Sequence, residues 1–270
     1  MSTTLSGQPA AGPRYVFDND SAHAPDQHRC LADLLDPITT ARLAATGVTD
    51  GWHCLDVGAG GGSVAVWLAG QVAPSGRVLA TDIKPVRIPA APGLRVARHD
   101  IVRDPLPEAG YDLIHARLVL RHLPGRSAAL GKLVRALRPG GWLQVDEFDT
   151  SYGPPLLMPD AAAQELYGTF VAARLRLMER AGVDPTWGQH APAAMRRAGL
   201  VGVDPQVRLQ VWRAGSPGTR LLAHSTRHLR DAFVAEGMTD QQLADVRALL
   251  ADPAFAAVSC AIYSVQGRRP

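Results

Sequence analysis

The densest chemical signal in the chain is His53-Cys54-Leu55-Asp56-Val57-Gly58-Ala59-Gly60-Gly61-Gly62. A short apolar run closes on an acid, glycines follow, and a helix-forming segment runs from Ser63 to Ala69. Strand, glycine turn and helix in that order let a ligand approach bare backbone, with the free N–H groups of the helix N-terminus facing it. A dinucleotide fingerprint needs a third glycine or alanine where this chain has Ser63. The glycines fall instead at 58, 60 and 62, with Asp56 two places ahead of the first. A carboxylate there opposes a pyrophosphate and suits a cationic ligand, such as an α-amino group beside a sulfonium.

Two later acids extend the pattern. Asp82 closes the predicted strand Arg77–Thr81, where a carboxylate can accept hydrogen bonds from two ribose hydroxyls. That signal is shared by several adenosine-containing ligands. Asp100-Ile101 follows the predicted strand Leu94–Arg98, and Asp100 could equally be a plain turn residue. Side chains able to move a proton cluster near predicted strand ends: His115, His122, Glu147, Asp149 and His190.

These residues need a scaffold. Pro25 can open a helix over 25–46, with Leu31, Leu34 and Leu35 at helical spacing and Asp36-Pro37 read as a break. Tyr111–Ala116 reads as a fourth strand running into Arg117–Leu123, and Ser127–Leu137 as an amphipathic helix. Arg138-Pro139-Gly140-Gly141 reads as a tight turn before a fifth strand, Trp142–Asp146, which Glu147-Phe148-Asp149 leaves. Helices are predicted over 161–181 and 190–198, a strand over 206–212, helical structure over 216–250 and a last strand over 257–265.

The stretch D-x-G-x-G-x-G from Asp56, together with "YDLIHARLVLRHLP" and "LRPGGWL", resembles the class I S-adenosylmethionine (SAM) methyltransferases, in particular those related to the ubiquinone/menaquinone biosynthesis enzymes. The motifs span roughly residues 25–148. The resemblance implies an α/β fold: a Rossmann-like, seven-stranded, mostly parallel sheet with helices on both faces and an N-terminal helical cap. It implies a flexible arm over 1–24, one domain over 25–270, and helical lid insertions at about 150–200 and 215–255. It further implies that SAM contacts Tyr15, Asp56, Gly58, Ala59, Gly60, Gly62, Asp82, Ile83, Asp100, Ile101, Ala116 and Arg117. Asp56 would meet the methionine end mainly through loop backbone or water, Asp100 the adenine amino group, and Ile101 the adenine ring. Tyr15 would close over the cofactor or simply anchor the arm. His122 is the candidate base or acceptor-orienting group, supported by Glu147 or Asp149. The acceptor is then a small molecule, as in secondary metabolism. The alternative is a SAM-binding protein of this fold acting as a cyclase or a non-methylating binding module.

Composition narrows the classes. Hydrophobic residues make up 46% of 270, enough for a sizeable core. The net charge of +3 comes almost entirely from arginine scattered among acids, with only Lys84 and Lys132 as lysines, which argues against a nucleic-acid surface. Cys30, Cys54 and Cys260 form no metal or disulfide pattern, and no H-E-x-x-H or acid triplet suggests a metal. No apolar run approaches the roughly 18 residues of a membrane span, and no signal peptide opens the chain, so a cytoplasmic protein is expected, with homodimerisation open.

Overall fold

A computed structural model describes residues 17–270. Five parallel strands form the core of the sheet: β1 (His53–Val57), β2 (Arg77–Asp82), β3 (Leu94–Arg98), β4 (Tyr111–Arg117) and β5 (Leu137–Asp149). Two more strands, β7 (Val201–Arg208) and β10 (Ala261–Arg268), complete a seven-stranded sheet of order β3-β2-β1-β4-β5-β10-β7. β10 is antiparallel to both neighbours. The expected Rossmann-like sheet is thus present, with its antiparallel strand inserted next to the edge.

Alternation along the strands sorts side chains to the two faces. Leu55, Val57, Ile114, Ala116, Leu143, Val145 and Val265 pack on one side against α3 (Arg126–Ala136) and α5 (Trp187–Arg197). Cys54, Val78, Ala80 and Leu113 pack on the other with Val64, Ala65 and Leu68 of α2 (Ser63–Val72) and Leu43 of α1 (Ala24–Ala45). α1 runs unbroken through Pro37. Thr40 Oγ1 bonds the Asp36 carbonyl at 2.7 Å, and the helix is held on both sides by Leu34, Leu35 and Leu43, so packing overrides the local break.

A separate helical core joins α1 to α4 (Ala161–Arg180), α6 (Pro217–His228), α7 (Arg230–Ala235) and α8 (Asp240–Ala251), with Phe170 stacked on Phe233 at 5.4 Å. α5 packs on the sheet, with Trp187, Ala191 and Met195 in its core, and so belongs to the sheet rather than to a covering layer. The predicted strand over 206–212 divides between β7 and β8 (Val211–Arg213), and the last predicted strand divides between β9 (Ala256–Val258) and β10. The short pieces form a second sheet, β6-β9-β8, with β6 at Pro155–Leu157. β5 starts earlier than expected: Arg138-Pro139-Gly140-Gly141 lies inside it as a bulge, the pairing jumping from Tyr111↔Leu137 to Leu113↔Trp142. β5 also ends later, so Glu147, Phe148 and Asp149 are buried strand residues.

On the α1 side the strands carry a buried polar row. Asp56, His115, Gln144 and Gln266 are successive cross-strand partners of β1, β4, β5 and β10. His115 Nδ1 lies 2.8 Å from Asp56 Oδ1 and Nε2 lies 3.2 Å from Asp146 Oδ2. Thr39 of α1 donates to Asp146 at 2.7 Å, and Gln144 Nε2 to the same carboxylate at 3.0 Å. Burial pulls the His115 pKa down, but hydrogen bonds and charge from Asp146 and Asp56 outweigh it and raise it to about 9. The same imidazolium holds Asp146 below its ordinary value against the opposing effect of burial. His115 is therefore a cation between two carboxylates.

His115→Gln, which leaves two buried carboxylates without their cation, should destabilise the fold by about 3–5 kcal/mol in urea denaturation. The folded-state pKa of His115 lies above the ordinary histidine value of 6.5. Its contribution to stability is therefore complete below pH about 6.5 and lost as pH rises to about 9. A wild-type stability curve flat between those values would contradict the charged triad.

Candidate active site

A cavity of about 670 Å³ opens at the carboxyl ends of the parallel strands, within the range of about 300–1,000 Å³ usual for small-molecule sites. Because β3 and β2 lie on one side of β1, and β4 and β5 on the other, the cavity has two ends. Asp82, Ile83, Asp100 and Ile101 line the first. Leu118, Arg121, His122 and Phe148 line the second, with Arg174 and Met178 of α4 and Leu221 and Leu222 of α6. Gly58, Ala59, Gly60, Gly61 and Ser63 lie between them.

The glycine loop has a steric cause. Gly58 and Gly60 have φ of +64° and +55°, a region open to glycine. A Cβ on Gly58 would meet Val119 Cγ2 at 2.4 Å. The loop is thus pressed against the segment that leaves β4, where Leu118 itself sits at φ +56°, a costly conformation for leucine. The Leu118 N–H donates to the Asp146 carbonyl at 2.9 Å, and the chain turns at once into a 3-10 turn, Leu120–His122.

Asp82 organises the first end. Its Oδ2 accepts the Gly60 N–H at 3.0 Å, and its Oδ1 accepts the Lys84 N–H at 2.9 Å and Asn19 Nδ2 at 3.0 Å. His28 Nε2 lies 3.2 Å from Asn19 Oδ1, and burial lowers the pKa of that histidine. Asp100 lines the cavity while its Oδ1 accepts the Val102 N–H at 2.9 Å, so this turn residue also faces the cavity. Ile101 is buried beside it and Ile83 is exposed at the rim. Arg117 also lines the cavity, donating to Asp36 Oδ1 at 2.7 Å and to Thr39 Oγ1 at 3.3 Å.

Several expected contacts fall elsewhere. Asp56 faces His115 beneath the loop and does not line the cavity. Gly62 caps α2 against Ile88, and Ala116 is sealed in the sheet core. Glu147 is 1% exposed and lies behind the wall, where Oε1 accepts the N–H groups of Leu120 at 2.9 Å and Arg121 at 3.3 Å. Burial pushes its pKa up to about 7, only partly offset by Arg121 and these bonds. Asp149 accepts the Ser151 N–H at 2.9 Å and closes the turn after β5. Both acids shape the wall because β5 carries them into the sheet. His190 is not among the cavity residues, and Tyr15 lies outside the described residues. His122 does line the cavity. Burial, then the charges of Arg121 and Arg126, push its pKa down to about 3. Sequence reasoning did not single out Asn19, His28, Val119, Arg121 or Arg174; Val119 and Arg121 stand inside the fourth-strand motif without a role assigned to them, and the other three belong to no recognisable motif.

Residues 55–143 match a family model described as a methyltransferase domain. Over that stretch the chain is similar to methyltransferase domains. It is 32% identical over 148 residues to the methyltransferase str3 of Strobilurus tenacellus, covering 52% of this chain and 51% of the relative. It is 32% identical over 126 residues to the ubiquinone/menaquinone biosynthesis C-methyltransferase UbiE of Cupriavidus necator, covering 42% and 49%. The chain thus spans about half the length of the curated relatives it matches. Among solved structures, the fold matches the YcgJ protein of Bacillus subtilis with a TM-score of 0.55 at 13% identity, over 86% of this chain and 97% of that one. It also matches the Haemonchus contortus phosphoethanolamine N-methyltransferase 2 complex with phosphomonomethylethanolamine and S-adenosylhomocysteine, with a TM-score of 0.53 at 13% identity over 87% and 52%. Among the described residues, no cluster of three His, Cys, Asp or Glu side chains could hold a metal, and no helix is long and apolar enough to cross a membrane.

Asp82→Ala removes a charged acceptor inside the cavity and frees the Gly60 and Lys84 N–H groups. S-adenosylhomocysteine affinity by calorimetry should fall by about 2–4 kcal/mol, the scale of one or two hydrogen bonds to a charged group. Unchanged affinity would sink the assignment of Asp82 to the ribose.

Proposed function

We propose that this protein transfers a methyl group from SAM to a small-molecule acceptor. The observation that carries the reading is the two-ended cavity, with a glycine cradle and Asp82 at one end and an apolar wall with His122 at the other. The site suits the cofactor on three counts. The loop offers backbone where a side chain would collide with Val119, Asp82 presents a carboxylate for a diol, and Ile83 and Ile101 offer apolar surface for a planar base. SAM supplies an electrophilic methyl group on a sulfonium.

The chain's own residues then do three things. Gly58 fixes the cofactor-binding loop against Val119 and Gly60 lies against His28, which sets the distance between the two ends. Leu118, Phe148, Met178 and Leu222 keep the acceptor end apolar, so that positioning and exclusion of water can lower the barrier. Glu147 grips the backbone of Leu120 and Arg121 and so holds the turn that presents His122. With its pKa depressed, His122 is a neutral imidazole at physiological pH that holds protons weakly, which favours orienting the acceptor over acting as its base. The arginine-dominated, scattered charge agrees with a small-molecule acceptor.

A screen of small-molecule acceptors with SAM, reading S-adenosylhomocysteine release by mass spectrometry, tests the activity. No release from any acceptor, together with no binding of S-adenosylhomocysteine, would overturn it. With an acceptor in hand, His122→Ala should slow turnover by about 100-fold, the scale of a misplaced reactant, and leave S-adenosylhomocysteine affinity within about two-fold. Wild-type kcat should show no inflection near pH 6.5 that the variant removes; such an inflection would make His122 the base.

A further inference from the structure

The acceptor end holds two guanidinium groups with no counter-charge bonded to them. Arg121 is 4% exposed, and its guanidinium carbon lies 6.0 Å from the centroid of the Phe148 ring. Its one side-chain hydrogen bond is from Nη2 to Thr150 Oγ1, at 3.3 Å, and Nε is buried with no partner among the described residues. Glu147 is the nearby acid; its Oε1 is turned to backbone N–H groups, and its Oε2 is buried without a hydrogen bond to Arg121 or to any other described residue. Arg174 of α4, half-buried, lines the same cavity and makes no hydrogen bond or ion pair among the described residues. Burial lowers the pKa of Arg121; the charge of Glu147 opposes this in part, and the smaller influence of Arg174 lowers it further. A buried guanidinium left facing a second cation is costly, since buried charges are stable when paired and fully hydrogen-bonded. The other arginines at comparable depth have partners: Arg42 bonds Asp204 at 2.8 Å and Arg117 bonds Asp36 at 2.7 Å.

We propose that Arg121 and Arg174 form an anion subsite that binds the carboxylate of the acceptor, whose apolar body packs on Leu118, Phe148, Met178 and Leu222. This deepens the methyltransferase reading by naming the acceptor class, and the word acceptor rests on that reading. A carboxylate fits better than a phosphate. Its two oxygens match the planar guanidinium fork, whereas a third and fourth oxygen would face the apolar wall. The carboxylate serves as an anchor that fixes the molecule beside His122.

The test is calorimetry on the full chain saturated with S-adenosylhomocysteine. The probes are benzoate, phenylacetate and cinnamate, each paired with its neutral amide, with inorganic phosphate as a further arm. At least one carboxylate should bind about ten-fold or more tightly than its amide, the scale of hydrogen bonds between charged groups. Arg174→Met and Arg121→Met should each reduce that preference below about three-fold, with S-adenosylhomocysteine affinity and melting temperature unchanged in the half-buried Arg174→Met variant. No preference in any pair, or a preference that survives in Arg174→Met, overturns the subsite. Phosphate binding that displaces the arylcarboxylates and depends on both arginines overturns the carboxylate assignment. Failure of S-adenosylhomocysteine to bind sinks the methyltransferase reading instead, so the two failures are distinct.

Discussion

A protonated histidine held between two carboxylates sets the geometry on which the site depends. His115 ties Asp56 of β1 to Asp146 of β5 in the interior, and Thr39 draws α1 onto the same group. Buried charges of this kind contribute little net stability compared with apolar packing, but they tolerate few alternative pairings. A one-residue slip of β4 would point His115 into the opposite, apolar face. The row therefore fixes where β4 ends. From that end follow the strained Leu118, the contact of Val119 with Gly58, and the turn that carries Arg121 and His122.

The helical layer is built on different physics. Its core is aliphatic and aromatic, with Phe170, Phe233 and Phe255 fully buried and Tyr167 edge-on to Phe255 at 5.4 Å. It shares α1 with the sheet, since Leu34 and Leu35 face one core and Leu43 the other. Through Arg174, Met178, Leu221 and Leu222 it supplies the outer wall of the acceptor end, and the polar row has no part in that wall.

The first four strands were legible because each is a short stretch with apolar or β-branched residues that follows closely on a glycine, at positions 51, 76, 93 and 110. The later strands were not, and the reason is local. The alternation of residues 206–212 continues through Leu209 and Gln210, where the chain changes sheets. Ser259 stands at the matching change between β9 and β10, and the two junctions bind each other: Gln210 N–H donates to Ser259 Oγ at 2.9 Å and Ser259 N–H to the Gln210 carbonyl at 2.8 Å. No periodicity encodes such a crossing. In the site, the glycine loop and Asp82 were readable because close backbone approach demands glycine and the proposed diol contact demands a carboxylate. Glu147 and Asp149 were misplaced because the sequence does not say how far β5 continues. Arg121 and Arg174 were silent because an arginine in a loop or on a helix looks solvated until its surroundings are known.

The contact of Gly58 with Val119 has a consequence for how this site can diversify. On the proposed reading it joins the cofactor loop to the floor of the acceptor end, so a larger side chain at either position would disturb both at once. The wall from α4 and α6 carries no such double duty. Selection for a new acceptor, natural or in the laboratory, has its free variables there, at Arg174, Met178, Leu221 and Leu222, while positions 58 and 119 are confined to joint change.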